Sequence, residues 1–146
     1  REDTIRAAAE RIARLPLVRD VRLSSLFETV ALRLDGPDPD APGYVNAVAL
    51  VTTRLAPSIL LGMLHAIEDE HGRERHERWG DRTLDLDLIA YGDESADGDG
   101  LQLPHPRAFE RLFVLEPWLE LDSDAVLPGR GRVAELVAGL RRGERS

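Results

Sequence analysis

Apolar residues recur every three or four positions in several parts of the chain, which is the spacing of an amphipathic helix. The first such stretch covers residues 5–15, and Pro16 directly after it predicts that this helix ends there. A second helix is predicted from Pro57 to Gly72, because proline favours a first helical turn and glycine favours a helix end. Further helices are predicted over residues 107–119 and 133–140.

Other stretches alternate between apolar and polar side chains, as a half-buried strand does. This pattern predicts strands over residues 21–28, 44–53 and 84–91. The segment from Asp35 to Gly43 is rich in Pro, Gly and Asp and predicts a loop, and residues 95–100 predict a polar turn.

The order of these elements (helix, strand, strand, helix, strand, helices) indicates an α+β protein. It matches a ferredoxin-like βαββαβ sandwich with additional C-terminal helices, in which the first strand is absent. Helical periodicity begins by Ile5 and no linker divides the chain, so we expect one N-terminally incomplete domain over residues 1–146. A strand of about five or six residues and a Gly-containing loop are expected before Arg1 in the full gene product. Direct pairing of the 84–91 and 44–53 strands would contradict this expectation.

The 146 residues include 27 acidic and 19 basic side chains, which gives a formal net charge of −8. An acidic protein is a poor match for nucleic acid, so no such partner is expected. No apolar run approaches the roughly 20 residues that span a bilayer, so no membrane partner is expected either. The chain has no cysteine, which excludes disulfides and thiolate metal sites and fits a cytoplasmic location.

Two aspartates, Asp85 and Asp87, are candidate metal ligands. On a strand their spacing places both side chains on one face, about 7 Å apart at roughly 3.3 Å per residue, while Leu84, Leu86 and Leu88 face a core. Neighbouring carboxylates repel each other unless a cation lies between them. Mg²⁺ takes one or two carboxylates together with water and substrate phosphates, so the pair predicts a Mg²⁺ site.

Four arginines precede the two aspartates: Arg73, Arg75, Arg78 and Arg82. Guanidinium groups bind phosphate oxygens through paired hydrogen bonds, and a basic segment on an acidic protein suits a small anion. Together the arginines and aspartates predict a Mg²⁺–polyphosphate site. The alternative is a solvated run of charges ahead of an ordinary strand.

The segment RWGDRTLDLD (residues 78–87) resembles the signature of the 6-hydroxymethyl-7,8-dihydropterin pyrophosphokinases, enzymes of folate biosynthesis. The segments LPHPR (103–107), ER (110–111) and FVL (113–115) resemble the same family, and the resemblance extends to about Pro128. It implies a Mg²⁺-dependent enzyme that transfers diphosphate from ATP to the hydroxymethyl group of the reduced pterin and releases AMP. The family's Gly-Ser-Asn loop has no counterpart here. A monomer is expected.

The resemblance implies a catalytic set and a set of ATP contacts. The catalytic set is Arg73, Arg82, Asp85 and Asp87. The ATP contacts are His65, Glu68, Arg75, Arg78, Trp79, Arg82, His105 and Arg111. Two trans prolines are expected to hold His105 extended, and the alternative for this residue is a capped structural histidine. Pro106 stands where some relatives have a tyrosine. The hydrophilic segment from Arg73 to Gly80 is predicted to be mobile until triphosphate neutralises it.

The resemblance also implies a set of pterin contacts. A pterin is flat, aromatic and rich in hydrogen-bonding edges, so it needs stacking faces and an amide. Tyr44 and Phe113 match the family's stacking pair, and Asn46 matches its amide. The segment 29–31 reads TVA where the family has Thr-Pro-Pro, and the alternative for Phe113 is a core position. The predicted contacts are Thr29, Tyr44, Asn46, Asp85 and Phe113.

Two functions from other classes remain open. A non-catalytic ferredoxin-like ligand-binding or regulatory module would not need paired aspartates beside four arginines. A nucleic-acid-binding sheet module is disfavoured by the net charge of −8. Mg²⁺-dependent nucleotide binding separates the first from an enzyme, and the salt dependence of any binding tests the second.

Overall fold

The computed structural model describes residues 2–29, 32–33, 36–37, 44–77, 84–98 and 100–143. Its helices are α1 (Glu2–Ala13), α2 (Pro57–Glu77), α3 (Leu112–Leu121) and α4 (Val133–Gly143), with a 3-10 helix at Ala108–Glu110. Its strands are β1 (Val18–Leu23), β2 (Phe27–Thr29), β3 (Leu32–Arg33), β4 (Gly36–Pro37), β5 (Tyr44–Asn46), β6 (Ala49–Thr53), β7 (Ala96–Gly98), β8 (Leu101–Leu103), β9 (Val126–Leu127) and β10 (Gly131–Arg132). The described part of the chain is therefore an α+β structure, as the sequence predicted.

The first core lies between the helices α1 and α2 and the antiparallel strands β1 and β6, in which Val21 faces Val51. The apolar stripe of α2 supplies Leu60, Leu64 and Ile67, which recur at helical spacing and so meet the core together. The buried members are Ile12, Leu55, Leu60, Leu64 and Ile67.

The second core lies between α3, α4, the 3-10 helix and the β9–β10 hairpin. Leu115 and Val133 are completely buried in it. The members are Ala108, Leu115, Ala125, Leu127, Val133 and Val137. Ile89 packs against this core, whereas Leu84, Leu86 and Leu88 pack against the first one, so the segment 84–91 runs between the two cores.

Three predicted boundaries were wrong. The α2 helix continues through Gly72 to Glu77, because Gly72 does not adopt the left-handed conformation that ends helices. Residues 95–100 do not form a simple turn, since β7 and β8 pair as a hairpin there. Gly36–Pro37, placed in a loop from the sequence, pairs with Leu32–Arg33.

The predicted strands formed in pieces. Residues 21–28 fall in β1 and β2 and residues 44–53 in β5 and β6, so each predicted strand is interrupted by a short connection. The segment 84–91 has no strand ladder with any described residue, and in particular none with residues 44–53. Within the described residues, no helix combines the length and apolarity needed to cross a bilayer.

Candidate active site

The side chains of the segment 84–88 alternate between core and solvent. Leu84, Leu86 and Leu88 are half-buried against the first core, and Asp85 and Asp87 are exposed. The predicted alternation is therefore confirmed even though no strand ladder forms here. Since the side chains of an extended chain alternate, both carboxylates leave the same face of the segment.

Glu68 of α2 holds this segment in place. Its Oε2 accepts a hydrogen bond of 2.6 Å from the backbone N–H of Leu86, which lies between the two aspartates. The predicted ATP contact is therefore already engaged with the segment that presents Asp85 and Asp87. In a sheet this N–H would donate to a carbonyl of a neighbouring strand, and here Glu68 supplies the acceptor instead.

A cleft of about 400 Å³ brings three of the predicted residues together: Asp87, His65 and His105. His65 comes from α2, Asp87 from the extended segment and His105 from the turn after β8. The rest of the lining is four apolar residues, Leu61, Leu86, Leu88 and Pro106, and four residues of the β7–β8 hairpin, Gly98, Gly100, Leu101 and Gln102.

The polar turn predicted for residues 95–100 does not include the hairpin side of the cleft. Gly98 and Gly100 flank residue 99, and Leu101 and Leu103 alternate after them. Glycines between short alternating runs are a hairpin signal. This signal predicts a pair of strands just before His105.

His105 is fixed by two hydrogen bonds. Its backbone N–H donates to the Ile89 carbonyl at 2.7 Å, and its Nδ1 accepts from the Arg107 N–H at 3.2 Å. Because Nδ1 accepts this hydrogen bond, the neutral ring carries its own proton on Nε2, which is then a hydrogen-bond donor. The Leu103–Pro104 peptide is cis, so the expectation of two trans prolines was wrong.

Arg111 and Phe113 lie together at the start of α3. The guanidinium carbon of Arg111 is 5.6 Å from the centroid of the Phe113 ring. Phe113 is 39% exposed, so it is not the core residue that the alternative interpretation required.

Three of the other predicted pterin residues, Thr29, Tyr44 and Asn46, belong to the β2–β5 pair. Thr29 faces Tyr44 and Phe27 faces Asn46 across this ladder. Asn46 is half-buried, and Tyr44 lies two residues before it on β5.

The arginine cluster is described in part. Arg73 is exposed on α2, and Arg75 follows it on the same helix. The predictions for Arg78, Trp79 and Arg82 lie outside the described residues, and so do residues 78–80 of the segment predicted to close over nucleotide. The hydrogen bond that Arg11 donates to Glu70 lowers the pKa of that carboxyl, and the charge of the nearby Arg73 also lowers it.

The described residues contain no group of three or more His, Asp or Glu side chains arranged to hold a metal ion. Asp85 and Asp87 nevertheless have the chemistry that Mg²⁺ requires. Both are exposed carboxylates on one face, and no described residue donates a hydrogen bond or ion pair to either side chain. A hard cation could therefore take oxygen from them and complete its shell with water and phosphate.

Comparison with known proteins gives a consistent result. The sequence profile of the family described as 7,8-dihydro-6-hydroxymethylpterin-pyrophosphokinase (HPPK) matches residues 1–123. The chain is similar to the 2-amino-4-hydroxy-6-hydroxymethyldihydropteridine pyrophosphokinase of Haemophilus influenzae, with 43% identity over 92% of this chain and 82% of the relative. The enzymes of the same name from Pseudomonas aeruginosa and Bacillus subtilis are 43% and 36% identical, over 93% and 83% of this chain and 82% and 70% of the relatives.

Proposed function

This chain belongs to the 7,8-dihydro-6-hydroxymethylpterin-pyrophosphokinase family, and on that premise we propose a Mg²⁺-dependent reaction centred on Asp85 and Asp87. The chain transfers diphosphate from ATP to the hydroxymethyl group of 6-hydroxymethyl-7,8-dihydropterin in folate biosynthesis, and AMP is the other product. The observation that supports the proposed site is the alternation of residues 84–88. This alternation anchors three leucines in a core, leaves both carboxylates exposed and places Asp87 in the lining of a cleft.

ATP binds in the cleft lined by His65, Asp87 and His105. Its leucines and the adjoining residues of the β7–β8 hairpin suit a purine, which is flat and has hydrogen-bonding edges. The Nε2–H of His105 suits a phosphate oxygen, since Nδ1 is already engaged by Arg107. Glu68 acts indirectly, by holding the segment that carries the aspartates.

Asp85 and Asp87 hold Mg²⁺, and the arginines hold the phosphates. Mg²⁺, when bound, neutralises phosphate charge and favours attack by an alcohol. Arg73, Arg75, Arg78 and Arg82 bind and orient the triphosphate, with Arg111 on the opposite wall. Their role is positioning and electrostatic stabilisation, so no strong general base is required.

The pterin binds against β5 and the start of α3. Phe113 and Tyr44 stack on its two faces, and Asn46 pairs with its amide-like edge. Asp85 faces the hydroxymethyl end, and residue Thr29 borders the ring. The exposed ring of Phe113 supports this arrangement, as a core phenylalanine would not.

The architecture is the ferredoxin-like sandwich, acting as a cytoplasmic monomer. In that sandwich another strand lies between β6 and the segment 84–91. The support is that this segment is extended and alternating, yet the described residues offer it no ladder. That strand would supply hydrogen-bond partners for backbone N–H and C=O groups along one edge of the segment, because buried backbone groups need such partners.

The decisive experiment measures AMP formation from ATP with 6-hydroxymethyl-7,8-dihydropterin as acceptor, with and without Mg²⁺. We expect AMP and the pterin diphosphate in equal amounts, dependent on both the pterin and Mg²⁺. ADP as product, or AMP formation independent of the pterin, would contradict the proposal. Nucleotide binding without any turnover would favour the non-catalytic module instead.

A further inference from the structure

The C-terminal end of α3 is hydrogen-bonded to the connection between β1 and β2. Oε2 of Glu120 accepts from the backbone N–H of Ser25 at 2.8 Å and from the Ser25 hydroxyl at 3.0 Å. One residue later, the carbonyl of Leu121 accepts from the guanidinium of Arg22 at 3.0 Å. Three hydrogen bonds thus join two segments that are far apart in the sequence.

The same connection is also bonded to the chain that follows Asn46. The N–H of Ser24 donates to the Val48 carbonyl at 2.9 Å, and the N–H of Val48 donates to the Ser24 hydroxyl at 3.0 Å. Ser24 is buried, whereas Ser25 and Glu120 are exposed. The residues Ser24 and Ser25 therefore link α3 to the connection between β5 and β6.

Each partner in this junction carries part of the proposed pterin site. Phe113 lies seven residues before Glu120 on α3, so the two share a helix face and are about 10 Å apart along the axis. On the other side, Asn46 lies two residues before Val48, and its ladder partner Phe27 lies two residues after Ser25. The stacking ring and the amide therefore come from separate elements, and the junction fixes one element against the other.

We propose that Glu120 is a positioning residue for the pterin, which sets the spacing between Phe113 and Asn46 without touching the substrate. This inference rests on the pterin site proposed above. A flat ring held between one stacking face and one amide tolerates little change in their separation, because stacking and hydrogen bonding must be satisfied together. Loss of the Glu120 bonds should therefore weaken pterin binding and leave nucleotide binding unchanged.

The test compares Glu120→Ala with Glu116→Ala, a matched variant on the same helix. Glu116 pairs with Arg141 of α4, away from the junction. Affinity for 6-hydroxymethylpterin is measured by titration with a saturating non-hydrolysable ATP analogue and Mg²⁺, and analogue affinity is measured separately. We expect Glu120→Ala to lose about tenfold in pterin affinity, the effect of one or two lost hydrogen bonds, and to keep its nucleotide affinity. Glu116→Ala should keep both.

Two further variants separate positioning from simple stability. Glu120→Gln retains an acceptor oxygen and should recover most of the pterin affinity. Ser25→Ala removes one of the three bonds and should give a smaller loss in the same direction, which tests the junction even if Glu120→Ala fails to fold.

Equal pterin affinity in wild type, Glu120→Ala and Ser25→Ala would overturn the inference, and so would a parallel loss of pterin and nucleotide affinity. If the wild-type protein itself bound no pterin, the proposed function would fail instead, so the two failures are distinguishable.

Discussion

The carboxylate of Asp87 is exposed on a segment whose neighbouring leucines form the contacts with the core. Replacement by asparagine keeps the shape of the side chain and removes a charge that a hard cation needs. We expect Asp87→Asn to lose most turnover, with a thermal midpoint close to that of wild type, because surface changes cost within about 0.5 kcal/mol. Asp93→Asn, on an exposed turn, is the control. Near-normal kcat in folded Asp87→Asn would disprove the metal assignment.

His105 is held by backbone contacts on one side and lines the cleft on the other. Removing a donor to a charged group costs about 1.5–3 kcal/mol, which corresponds to roughly 10-fold to 100-fold in affinity. We therefore expect His105→Ala to raise the KM for ATP within that range, measured by initial rates at saturating pterin. An unchanged KM would support the alternative of a purely structural histidine.

Arg82 precedes the aspartates and is proposed to bind phosphate. We expect Arg82→Ala to lower kcat/KM for ATP by about 10² or more, as loss of a charge-assisted donor in a dry site does. Arg19 is a better control than Arg22, since Arg22 donates to the Leu121 carbonyl and belongs to the junction with α3. Similar small effects of Arg82→Ala and Arg19→Ala would indicate that the arginines form only a solvated surface.

The outward direction of Asp85 and Asp87 could be predicted because alternation depends only on neighbouring residues. The roles of Glu68 and His105 could not be predicted in the same way. Glu68 bonds to Leu86 across 18 positions, and the His105 ring is oriented by an N–H two residues later in a turn. Such contacts depend on tertiary placement, which residue types alone do not specify.

At the scale of elements, α1 and α2 are joined by an ion pair between Arg11 and Glu70. Both guanidinium nitrogens that donate lie 3.1 Å from the carboxylate oxygens. The bond lowers the pKa of Glu70 from its ordinary value of 4.5. The pair should therefore stabilise the fold above that value, and its contribution should disappear as pH falls through the lowered pKa of the folded state.

Thermal denaturation of wild type and Arg11→Met tests this pH dependence. We expect a small advantage of wild type at pH 7, reduced by added salt because the pair is partly exposed, and no advantage well below the folded-state pKa. Arg14→Met, without a side-chain partner among the described residues, is the control. An advantage that persists or grows in acid would contradict the assignment.

Helices were easier to predict than strands in this chain. The stripe from Leu60 to Ile67 predicted α2, but Gly72 was taken for its end although the helix continues to Glu77. A glycine ends a helix only when it turns left-handed, and composition alone does not reveal that. The strands broke into short pairs because each connection, such as the one bonded at Ser24 and Val48, interrupts the ladder.

At the scale of the whole molecule, the two proposed substrates are served by different parts of the fold. The cleft is built by α2, the segment 84–91 and the β7–β8 hairpin. The pterin residues belong to β5 and to the start of α3. Asp85 and Asp87 are carried by the segment that contacts both hydrophobic cores, so the proposed metal ligands lie where the two cores meet.

This division predicts that the substrates stabilise the fold separately. A ligand that binds only the folded state at 100 times its Kd adds about 2.7 kcal/mol to the free energy of unfolding, which raises the thermal midpoint by several degrees. An ATP analogue with Mg²⁺ should produce one such shift, and the pterin added to that complex should produce a second. Asn46→Ala should retain the first shift and lose most of the second, because an unpaired buried polar edge costs about 1–3 kcal/mol. Each shift is measured against the same variant without ligand, so a change in that variant's own thermal midpoint does not affect the comparison. Loss of both shifts in Asn46→Ala would show that the two substrates do not occupy separate parts of the site.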